Sequence, residues 1–526
     1  MRYRYILYIL ALVPVFIFRD FMPGDEMKYL SVADEALRNG DWLTFGNHGA
    51  VYAEKPPFYF WLLMLSRLAA GQYCMWLMGL FSLLPAAGVM MVMDRWMKQE
   101  SVRNNPLISN MLIGTTALFT GTALSLRMDM LMTLFVVLSL YAFFRMYKGG
   151  GKPRQQWLFP LWLFLAFFTG GPLGLLMPLV PVVMFLQVKK EVRSIWRYLG
   201  WRQLAVFGGL LGVWLGAVYL KGGTGELSAI VSQNFGSLDA PRYKAHLFYY
   251  FPRMFATFAP WALMYLAVIW MGVRRRLFQT DTERFFYTIV WTNILLLTFL
   301  GAKSNIFMLP ICPFVAYLSS AMLSRTGGGR AVNVCVIIPA IALALLWPAS
   351  FIFNSLTPVG YSDPTILRVA YFVGSLGGLI TVWSLYRNKI SQGIWYIATF
   401  VVTGIFIASF SLPLYNKGAD FRTMAGEAGV TAVADSIARF YYYGDPGLAD
   451  MDFLLGRQLE EIVSAAQLDT LDTSRHRSIL FIPKGNPEAE EWINARQREV
   501  HTGPGTYWIV TGMRPETEDR ITETEE

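Results

Sequence analysis

The chain has 526 residues, of which 55% are hydrophobic and 15% are charged. Soluble globular proteins carry about 25% charged residues, so this composition excludes an ordinary soluble domain and favours a polytopic membrane protein. A net charge of +9 is also typical of nucleic-acid-binding proteins, but its distribution argues against that class. Residues 1–413 hold 34 Lys and Arg against 16 Asp and Glu, whereas residues 414–526 hold 11 against 20. The basic part is the apolar part, as the positive-inside rule expects.

Thirteen apolar stretches are candidate membrane spans, since a spanning helix needs about 20 apolar residues. They are residues 5–22, 73–93, 106–125, 128–147, 156–170, 172–188, 203–221, 253–272, 284–301, 305–323, 331–353, 367–386 and 392–412. A further apolar stretch at 58–70 is only 13 residues long. We interpret it as an amphipathic helix that lies in the membrane interface.

The basic loops predict the orientation of these spans. Together with Arg2 and Arg4, the loops 95–103, 145–154, 189–202, 274–284, 325–330 and 387–389 hold 22 Lys and Arg. All of them fall on one side of the membrane only if the stretch 58–70 does not cross it. That side is the cytoplasm by the positive-inside rule. Thirteen spans then place the N-terminus inside, and the first loop 19–72 and the C-terminal residues outside.

The composition changes near residue 413, which predicts a transmembrane domain over 1–413 and a small α/β domain over 414–526. In the second domain, helix-like stretches alternate with strand-like stretches. The former are 420–438, 456–466 and 486–497, and the latter are 439–443, 478–482 and 506–511. The acidic tail 515–526 is predicted to be disordered, because it lacks the apolar residues needed for a core.

Polar residues that packing does not readily explain gather on the predicted outer side. The cations Lys55, Arg127, Arg253 and Lys303 lie at the lipid–water boundary, where they suit the phosphate headgroup of a lipid-linked substrate. The carboxylates Asp25, Glu26 and Asp129 lie beside them in the predicted topology, and one can take a proton from an acceptor hydroxyl. A base together with a stabilised phosphate leaving group is what glycosyl transfer from a lipid-phosphate sugar requires.

Each of these residues also has a structural explanation. Asp25 and Glu26 suit the first turn of a helix running over 25–38, where acidic side chains are favoured. Arg127 and Asp129 could form an ion pair at a helix end. Lys55 could be an interfacial lysine, Lys303 a turn cation and His246 an ordinary loop histidine. Their convergence on one side of the membrane favours a shared function.

Several motifs occur in a characteristic order between residues 5 and 320. They are Asp25-Glu26-x-Lys28-Tyr29, Asn39-Gly40-Asp41-Trp42, Glu54-Lys55-Pro56-Pro57-x-x-x-Trp61, Arg127-x-Asp129, Thr169-Gly-Gly-Pro172, Gln233-Asn234, His246-x-x-Tyr249-Tyr250, Ala259-Pro260-Trp261 and Lys303-x-x-x-Phe307-x-Leu309-Pro310. This series resembles the protein mannosyltransferase and aminoarabinose transferase superfamily, the GT-C-fold glycosyltransferases that use polyprenyl-phosphate sugars. Gly170 and Phe307 depart from the Lys and Tyr that are usual in that pattern.

The resemblance implies an all-α polytopic GT-C-like membrane domain with interfacial helices in the first outer loop, followed by a small periplasmic α/β domain. It implies a glycosyltransferase of the bacterial inner membrane, inverting in its stereochemistry. The donor would be an undecaprenyl-phosphate sugar, and the acceptor a hydroxyl or phosphate of lipid A, a glycan or a protein.

The resemblance also implies roles for individual residues. Asp25 would be the catalytic carboxylate and Lys55 the lipid-phosphate ligand, with Lys28 and Tyr249 as further donor-binding candidates. In aminoarabinose transferases the motif Glu and a later His can hold zinc, which corresponds here to Glu54 and His246. Two ligands alone make a poor metal site.

Two other functions compete with glycosyl transfer. A transporter or flippase of lipid-linked substrates is expected to carry ionisable residues near mid-membrane and broken helices in matching halves. The predicted helix centres are almost free of charge, which favours the enzyme. A non-catalytic assembly protein would leave the charged first loop unexplained.

Overall fold

The computed structural model describes most of the chain up to residue 511. The described residues are 3–149, 153–239, 248–326, 329–352, 364–419, 421–434, 437, 439–464, 467–468, 478–484, 486–487, 492, 500–502 and 507–511. The candidate metal ligand His246 lies outside these residues.

Helices account for nearly all of the structure before residue 435. The first eleven are α1 Tyr3–Phe18, α2 Asp25–Asn39, α3 Phe58–Ala70, α4 Met75–Gln99, α5 Pro106–Gly114, α6 Ala117–Ala123, α7 Asp129–Tyr147, α8 Pro153–Gly170, α9 Pro172–Val188, α10 Ile195–Tyr198 and α11 Trp201–Asp239. The next ten are α12 Tyr250–Thr257, α13 Ala262–Arg274, α14 Asp281–Phe299, α15 Cys312–Thr326, α16 Arg330–Ala344, α17 Leu346–Ile352, α18 Thr365–Tyr386, α19 Ile390–Ser409, α20 Leu412–Ala419 and α21 Phe421–Ala434. Short 3₁₀ segments lie at Val192–Ser194, Asn305–Ile311 and Pro446–Met451, and the last leads into α22, Asp452–Leu455.

Six helical runs within the described residues are long and apolar enough to cross a membrane. They are α4, α7, α11, α18, α19 and the run Asn305–Thr326 that ends with α15. Two helix pairs pass the same test together but are bent, by 112° between α12 and α13 and by 45° between α16 and α17. The predicted multi-pass helical membrane domain is confirmed, and the count of thirteen spans stays a prediction.

Three of the predicted spans are wrong as single helices, since 331–353 is divided into α16 and α17 and two others are broken where they meet each other. The stretch 106–125 is divided into α5 and α6, and the stretch 253–272 into α12 and α13. The backbone N–H of Ala117 donates to the carbonyl of Ala259 at 2.8 Å, which joins the two breaks. Inside a membrane, backbone groups freed by a break need partners within the protein. The two broken helices therefore hold each other, and they place α6 close to α12.

The first outer loop folds into one packed unit. Helix α2 and α3 have the bounds expected from the sequence to within one residue, and between them β1, Phe45–Asn47, pairs antiparallel with β2, Ala50–Tyr52. The fully buried ring of Phe60 in α3 is the centre of this unit. Its ring centroid lies 5.9 Å from that of Tyr29, 4.9 Å from Phe45 and 5.7 Å from Tyr52. These aromatic contacts fix α2 and the hairpin on α3.

The C-terminal part contains a five-stranded sheet. Its strands are β3 Arg439–Tyr443, β4 Leu459–Ile462, β5 Ser478–Pro483, β6 Val500–Thr502 and β7 Tyr507–Thr511, in the order β4-β3-β5-β7-β6. Strand β3 is parallel to β4 and β5, and β7 is antiparallel to β5 and β6. The three predicted strands are confirmed. The predicted helix over 456–466 is wrong, because pairing with β3 buries Leu459 and Ile462 in strand β4.

Candidate active site

Helix α2 starts at Asp25 because Gly24 before it adopts a φ of 93°, a conformation that glycine accepts more easily than other residues. The negative charge of Asp25 therefore lies at the N-terminal end of a helix, where the helix dipole favours it. Half of its side chain, 50%, is exposed. This carboxylate faces a cavity of about 480 Å³.

The cavity has both polar and apolar walls. It is lined by Asp25 of α2, by Ala117, Leu118, Gly121 and Thr122 of α6, by Ser125 and Arg127 of the following loop, by Ala256 and Thr257 of α12, and by Ser304, Asn305 and Ile306. The walls thus come from the two broken helices and the start of the Asn305–Ile311 segment. Such a site can hold a charged group at one end and apolar groups along α6.

Arg127 connects two of the predicted catalytic carboxylates. One nitrogen of its guanidinium donates to Asp25, and its Nε donates to Asp129 at 3.0 Å. Burial alone would lower the pKa of Arg127, but the negative charges of Asp129 and Asp25 outweigh it and raise that pKa. The guanidinium therefore stays charged, and Asp129, at the first turn of α7, holds it toward Asp25.

Glu26, the neighbour of Asp25, lies in a different environment. Its side chain is 8% exposed, and it pairs with the equally buried Arg19 at 2.8 Å. Its two oxygens also accept the backbone N–H groups of Leu126 at 2.8 Å and Met22 at 3.1 Å. Glu26 thus fastens the loop before Arg127 to the start of α2. Its contacts are those of a residue that positions the site.

A second group of predicted residues consists of Lys28 in α2 and of Glu54 and Lys55 just after strand β2. Lys28 Nζ lies 3.6 Å from Glu54 Oε2 and 4.9 Å from the ring centre of Tyr52. Lys55 is partly buried and lines a narrow groove that also includes Trp214 and the other side of the hairpin. Within the described residues, its ammonium has no hydrogen bond or ion pair, so its charge is available to a ligand.

The end of α11 fixes the backbone that leads into Lys55. Gln233 accepts the N–H of Ala53 at 2.8 Å and donates to the carbonyl of Val51 at 3.1 Å. Asn234 donates to the carbonyl of Ala53 at 2.6 Å. The Gln233-Asn234 motif therefore clamps the outgoing strand of the hairpin. The motif thus acts on Lys55 through the backbone of the hairpin, since neither Gln233 nor Asn234 lines the cavity.

The remaining predicted cations are already engaged. The Arg253 guanidinium stacks 3.7 Å from the ring centre of Tyr249 and is otherwise exposed. Lys303 donates to the carbonyls of Leu297 at 2.8 Å and Thr298 at 2.6 Å, and so caps the C-terminal end of α14. Burial lowers the pKa of Lys303. Lys303 precedes Ser304 of the cavity wall, but its ammonium already donates to two helix carbonyls.

The described residues alone do not form a metal site. Among them, no group of three or more His, Cys, Asp or Glu side chains comes together. Glu54 faces the ammonium of Lys28, which competes for the same oxygen. His246 lies outside the described residues, so the predicted pair stays a prediction.

Sequence reasoning missed the neutral lining of the cavity. Thr122 and Ser125 are unremarkable hydroxyl residues in an apolar stretch, and only the break before α6 turns them toward Asp25 and Arg127. It also missed Arg19, which looks like a cation at the end of a span and is instead the buried partner of Glu26. In the sequence, only the position of Ser125, two residues before Arg127, could have indicated that a neutral residue lines the cavity.

The fold is that of a multi-pass helical membrane protein of the GT-C fold class. The crystal structure of ArnT from Cupriavidus metallidurans in the apo state has a TM-score of 0.75 with this chain, at 18% identity, and covers 97% of both chains. The structure of the same protein bound to undecaprenyl phosphate also has a TM-score of 0.75, at 16% identity over 97% of this chain and 98% of that one. At such identities the likeness shows the fold, which confirms the predicted class.

Sequence relatives point in the same direction. The chain is 25% identical over 365 residues to undecaprenyl phosphate-alpha-4-amino-4-deoxy-L-arabinose arabinosyl transferase 2 of Sodalis glossinidius, which covers 62% of each chain. It is 22% identical over 330 residues to the corresponding transferase of Aeromonas hydrophila, which covers 60% of this chain and 59% of that one. The chain therefore matches about three fifths of the length of these transferases. An uncharacterized protein of Aquifex aeolicus is 24% identical over 371 residues, 67% of this chain and 72% of its own. No family model matches the chain.

Proposed function

We propose that this protein is an integral membrane glycosyltransferase that moves a sugar from an undecaprenyl-phosphate donor to an acceptor hydroxyl or phosphate. The observation that carries the proposal is the Asp25–Arg127–Asp129 arrangement at a cavity of about 480 Å³. The fold supports it, since it is similar to that of ArnT over 97% of the chain. The named arabinosyl transferases among its relatives use an undecaprenyl-phosphate sugar, and one ArnT structure holds undecaprenyl phosphate.

In this proposal Asp25 acts on the acceptor. Its half-exposed carboxylate accepts the proton of an acceptor hydroxyl as that oxygen attacks the anomeric carbon of the donor sugar. The bond from that carbon to the phosphate oxygen breaks, and undecaprenyl phosphate leaves as an anion. When the acceptor is already a phosphate anion, no proton has to move, and the same site needs only to align the two reactants.

Cations stabilise the leaving phosphate in this mechanism. Lys55 is the principal candidate because its ammonium is available, and Arg127 lies in the cavity wall beside Asp25. Arg253 stacks on Tyr249 and Lys303 caps α14, so these two cations are secondary candidates for the lipid-phosphate headgroup. Charge that builds on the phosphate during bond cleavage strengthens these contacts, which lowers the barrier.

Replacement of Lys55 by Ala tests the donor role directly. A charged hydrogen bond contributes about 1.5–3 kcal/mol, so we expect donor affinity to fall roughly tenfold to a hundredfold. The measurement is release of undecaprenyl phosphate from an undecaprenyl-phosphate sugar by the purified full-length protein, with the donor KM obtained from initial rates. Lys55→Arg keeps the charge and is expected to recover part of the affinity.

Lys221→Ala is the matched control for this experiment. Lys221 of α11 is a lysine with 37% of its side chain exposed that pairs with Asp41 of the first outer loop, outside the proposed site. A donor KM that is unchanged in Lys55→Ala would reject the phosphate role. A wild-type protein that translocates the lipid-linked sugar without releasing undecaprenyl phosphate would instead support the transporter alternative.

We further propose that the protein lies in the bacterial inner membrane, with the loop 19–72 and the residues after 413 on the periplasmic side. The support is the distribution of basic loops, together with the contacts between these two segments described below. Domain 1–413 then forms the transferase and domain 414–526 an attached periplasmic α/β domain.

Cysteine labelling in intact cells tests this topology. In a variant without the native cysteines, a membrane-impermeant maleimide is expected to label Glu460→Cys on exposed β4 and to leave Arg193→Cys unlabelled until the cells are opened. Both positions are exposed on the protein surface, so access alone does not separate them. Labelling of position 193 in intact cells, with position 460 protected, would reverse the proposed orientation.

A further inference from the structure

The first residue of α22 packs against α2 through a buried carboxylate. The Asp452 side chain is 0% exposed, and its Oδ2 accepts a hydrogen bond from Arg38 at 3.2 Å. Arg38 also binds Asp34 on its own helix at 3.1 Å. His48, in the turn of the β1–β2 hairpin, lies 3.2 Å from Asp450 and 4.0 Å from Asp452. Three segments that are far apart in the sequence therefore meet at this cluster.

The hairpin itself is seated on α2 by a second contact. The backbone N–H of Gly49 donates to Glu35 Oε1 at 3.2 Å. A Cβ atom at Gly46 would lie 2.4 Å from the same oxygen, so only glycine allows this approach. Glu35 is 4% exposed. Any movement of the hairpin would therefore break its contact with Glu35 of α2 or its contact with Asp450.

The same C-terminal part also holds the chain just before α2. Arg422 pairs with Asp20 at 3.1 Å and lies 5.1 Å from the ring centre of Phe21. The Phe21 ring packs edge-on against Phe453, with 5.6 Å between the ring centroids. Residues 422–453 thus contact the chain on both sides of α2. One contact is near its start at Asp25, and the other is near its end at Arg38.

We propose that Asp450 and Asp452 are positioning residues of the transferase site, which they hold by locking α2 and the β1–β2 hairpin to the C-terminal domain. The inference rests on the proposed function, because α2 begins at Asp25 and the hairpin leads within three residues from Tyr52 to Lys55. A helix transmits a tilt at one end to the other, and the 13 steps from Asp25 to Arg38 span roughly 20 Å at 1.5 Å per residue. Loss of the lock therefore moves the carboxylate and the ammonium relative to each other.

The charged groups in the cluster favour the contacts between the C-terminal part and the first outer loop. Burial raises the pKa of Asp452, while Ser31, His48 and Arg38 oppose this effect. The hydrogen bond to Asp450 raises the pKa of His48, although burial alone would lower it. Further ionisable groups near the cluster are Asp34 and Glu35 of α2, Arg67 of α3, Tyr73 just before α4 and Tyr442 of β3. Arg38 and His48 thus connect carboxylates of the C-terminal part to the first outer loop.

Arg38→Met in the full-length protein tests the proposal. We expect kcat to fall about tenfold to a hundredfold, since small displacements of reacting groups have effects of this size. Hydrogen–deuterium exchange of residues 25–55 is expected to increase, and Arg38→Lys, which keeps one charged hydrogen bond, to recover part of both. Asp450→Asn removes the negative charge that faces His48 and so weakens this contact alone; it is the second variant if Arg38→Met does not fold.

Glu460→Gln is the matched control, because Glu460 is exposed on β4 in the same domain. It is expected to leave both kcat and exchange unchanged. Wild-type kcat in both Arg38→Met and Asp450→Asn would overturn the proposal, as would a lower kcat with unchanged exchange of residues 25–55. If the wild-type protein does not release undecaprenyl phosphate at all, the proposed function fails. The exchange data then still report whether the lock exists.

Discussion

Asp25→Asn is expected to lower kcat by about 10²- to 10⁴-fold for a hydroxyl acceptor, the range typical of a lost general base. Asn has nearly the same shape as Asp but cannot take the proton of the acceptor. Arg127 keeps its second partner, Asp129, so the guanidinium does not lose all compensation. Since the Asp25 side chain is half exposed, we expect the folded state to keep its stability.

The measurement is single-turnover release of undecaprenyl phosphate together with a separate determination of donor binding. Donor binding is expected to stay within about twofold of wild type, because Lys55 is unchanged. Asp41→Asn is the matched control, as Asp41 is a partly exposed acid of the same outer loop that pairs with Lys221. A fully active Asp25→Asn protein would refute the assignment of the base. A rate loss confined to hydroxyl acceptors, with phosphate acceptors unaffected, would support it.

Local signals in the sequence predicted the first outer loop well. Helix α2 starts after Gly24 and ends at Gly40, whose φ of 72° closes the helix, and α3 starts directly after Pro57. Glycine and proline determine such boundaries through their own backbone preferences. The effect of such residues on the backbone is local, so the sequence alone is enough to locate α2 and α3.

The breaks in the membrane helices could not be predicted in the same way. The stretch 106–125 carries no charged residue, and its break near Thr115 depends on a partner far away in the sequence. The Trp261 indole donates to the Thr115 hydroxyl at 2.9 Å, beside the backbone contact between Ala117 and Ala259. Hydropathy measures the preference for lipid and carries no information on these pairings.

In the candidate site, too, some features were predictable from the sequence and others depend on the fold. Sidedness alone predicted that Asp25, Arg127 and Asp129 share one face, and the structure brings them into contact. Charge alone also suggested Lys303 as a phosphate ligand, whereas its ammonium satisfies the carbonyls at the end of α14. Helix ends leave such carbonyls without partners, and a nearby lysine binds them when the fold provides the approach. Only the fold determines which cation is left for a ligand.

Glu26→Gln is expected to affect stability far more than Asp25→Asn, although the two residues are adjacent. Glu26 compensates the charge of Arg19, and both side chains are less than a tenth exposed. Removal of one partner from a buried ion pair costs about 3–5 kcal/mol, because the other charge stays buried without compensation. We expect a clear decrease in the thermal unfolding temperature of the detergent-solubilised protein.

A double variant separates the two roles that Glu26 could have. Arg19→Met added to Glu26→Gln removes the uncompensated charge, and we expect it to recover a large part of the lost stability. If Glu26 positions the loop before Arg127, the double variant also recovers activity, because the Gln oxygen can still accept the N–H of Leu126. If Glu26 took part in proton transfer, stability would return and the rate would not. Recovery of both would exclude Glu26 as the base and favour Asp25, which lines the cavity whereas Glu26 and Asp129 do not.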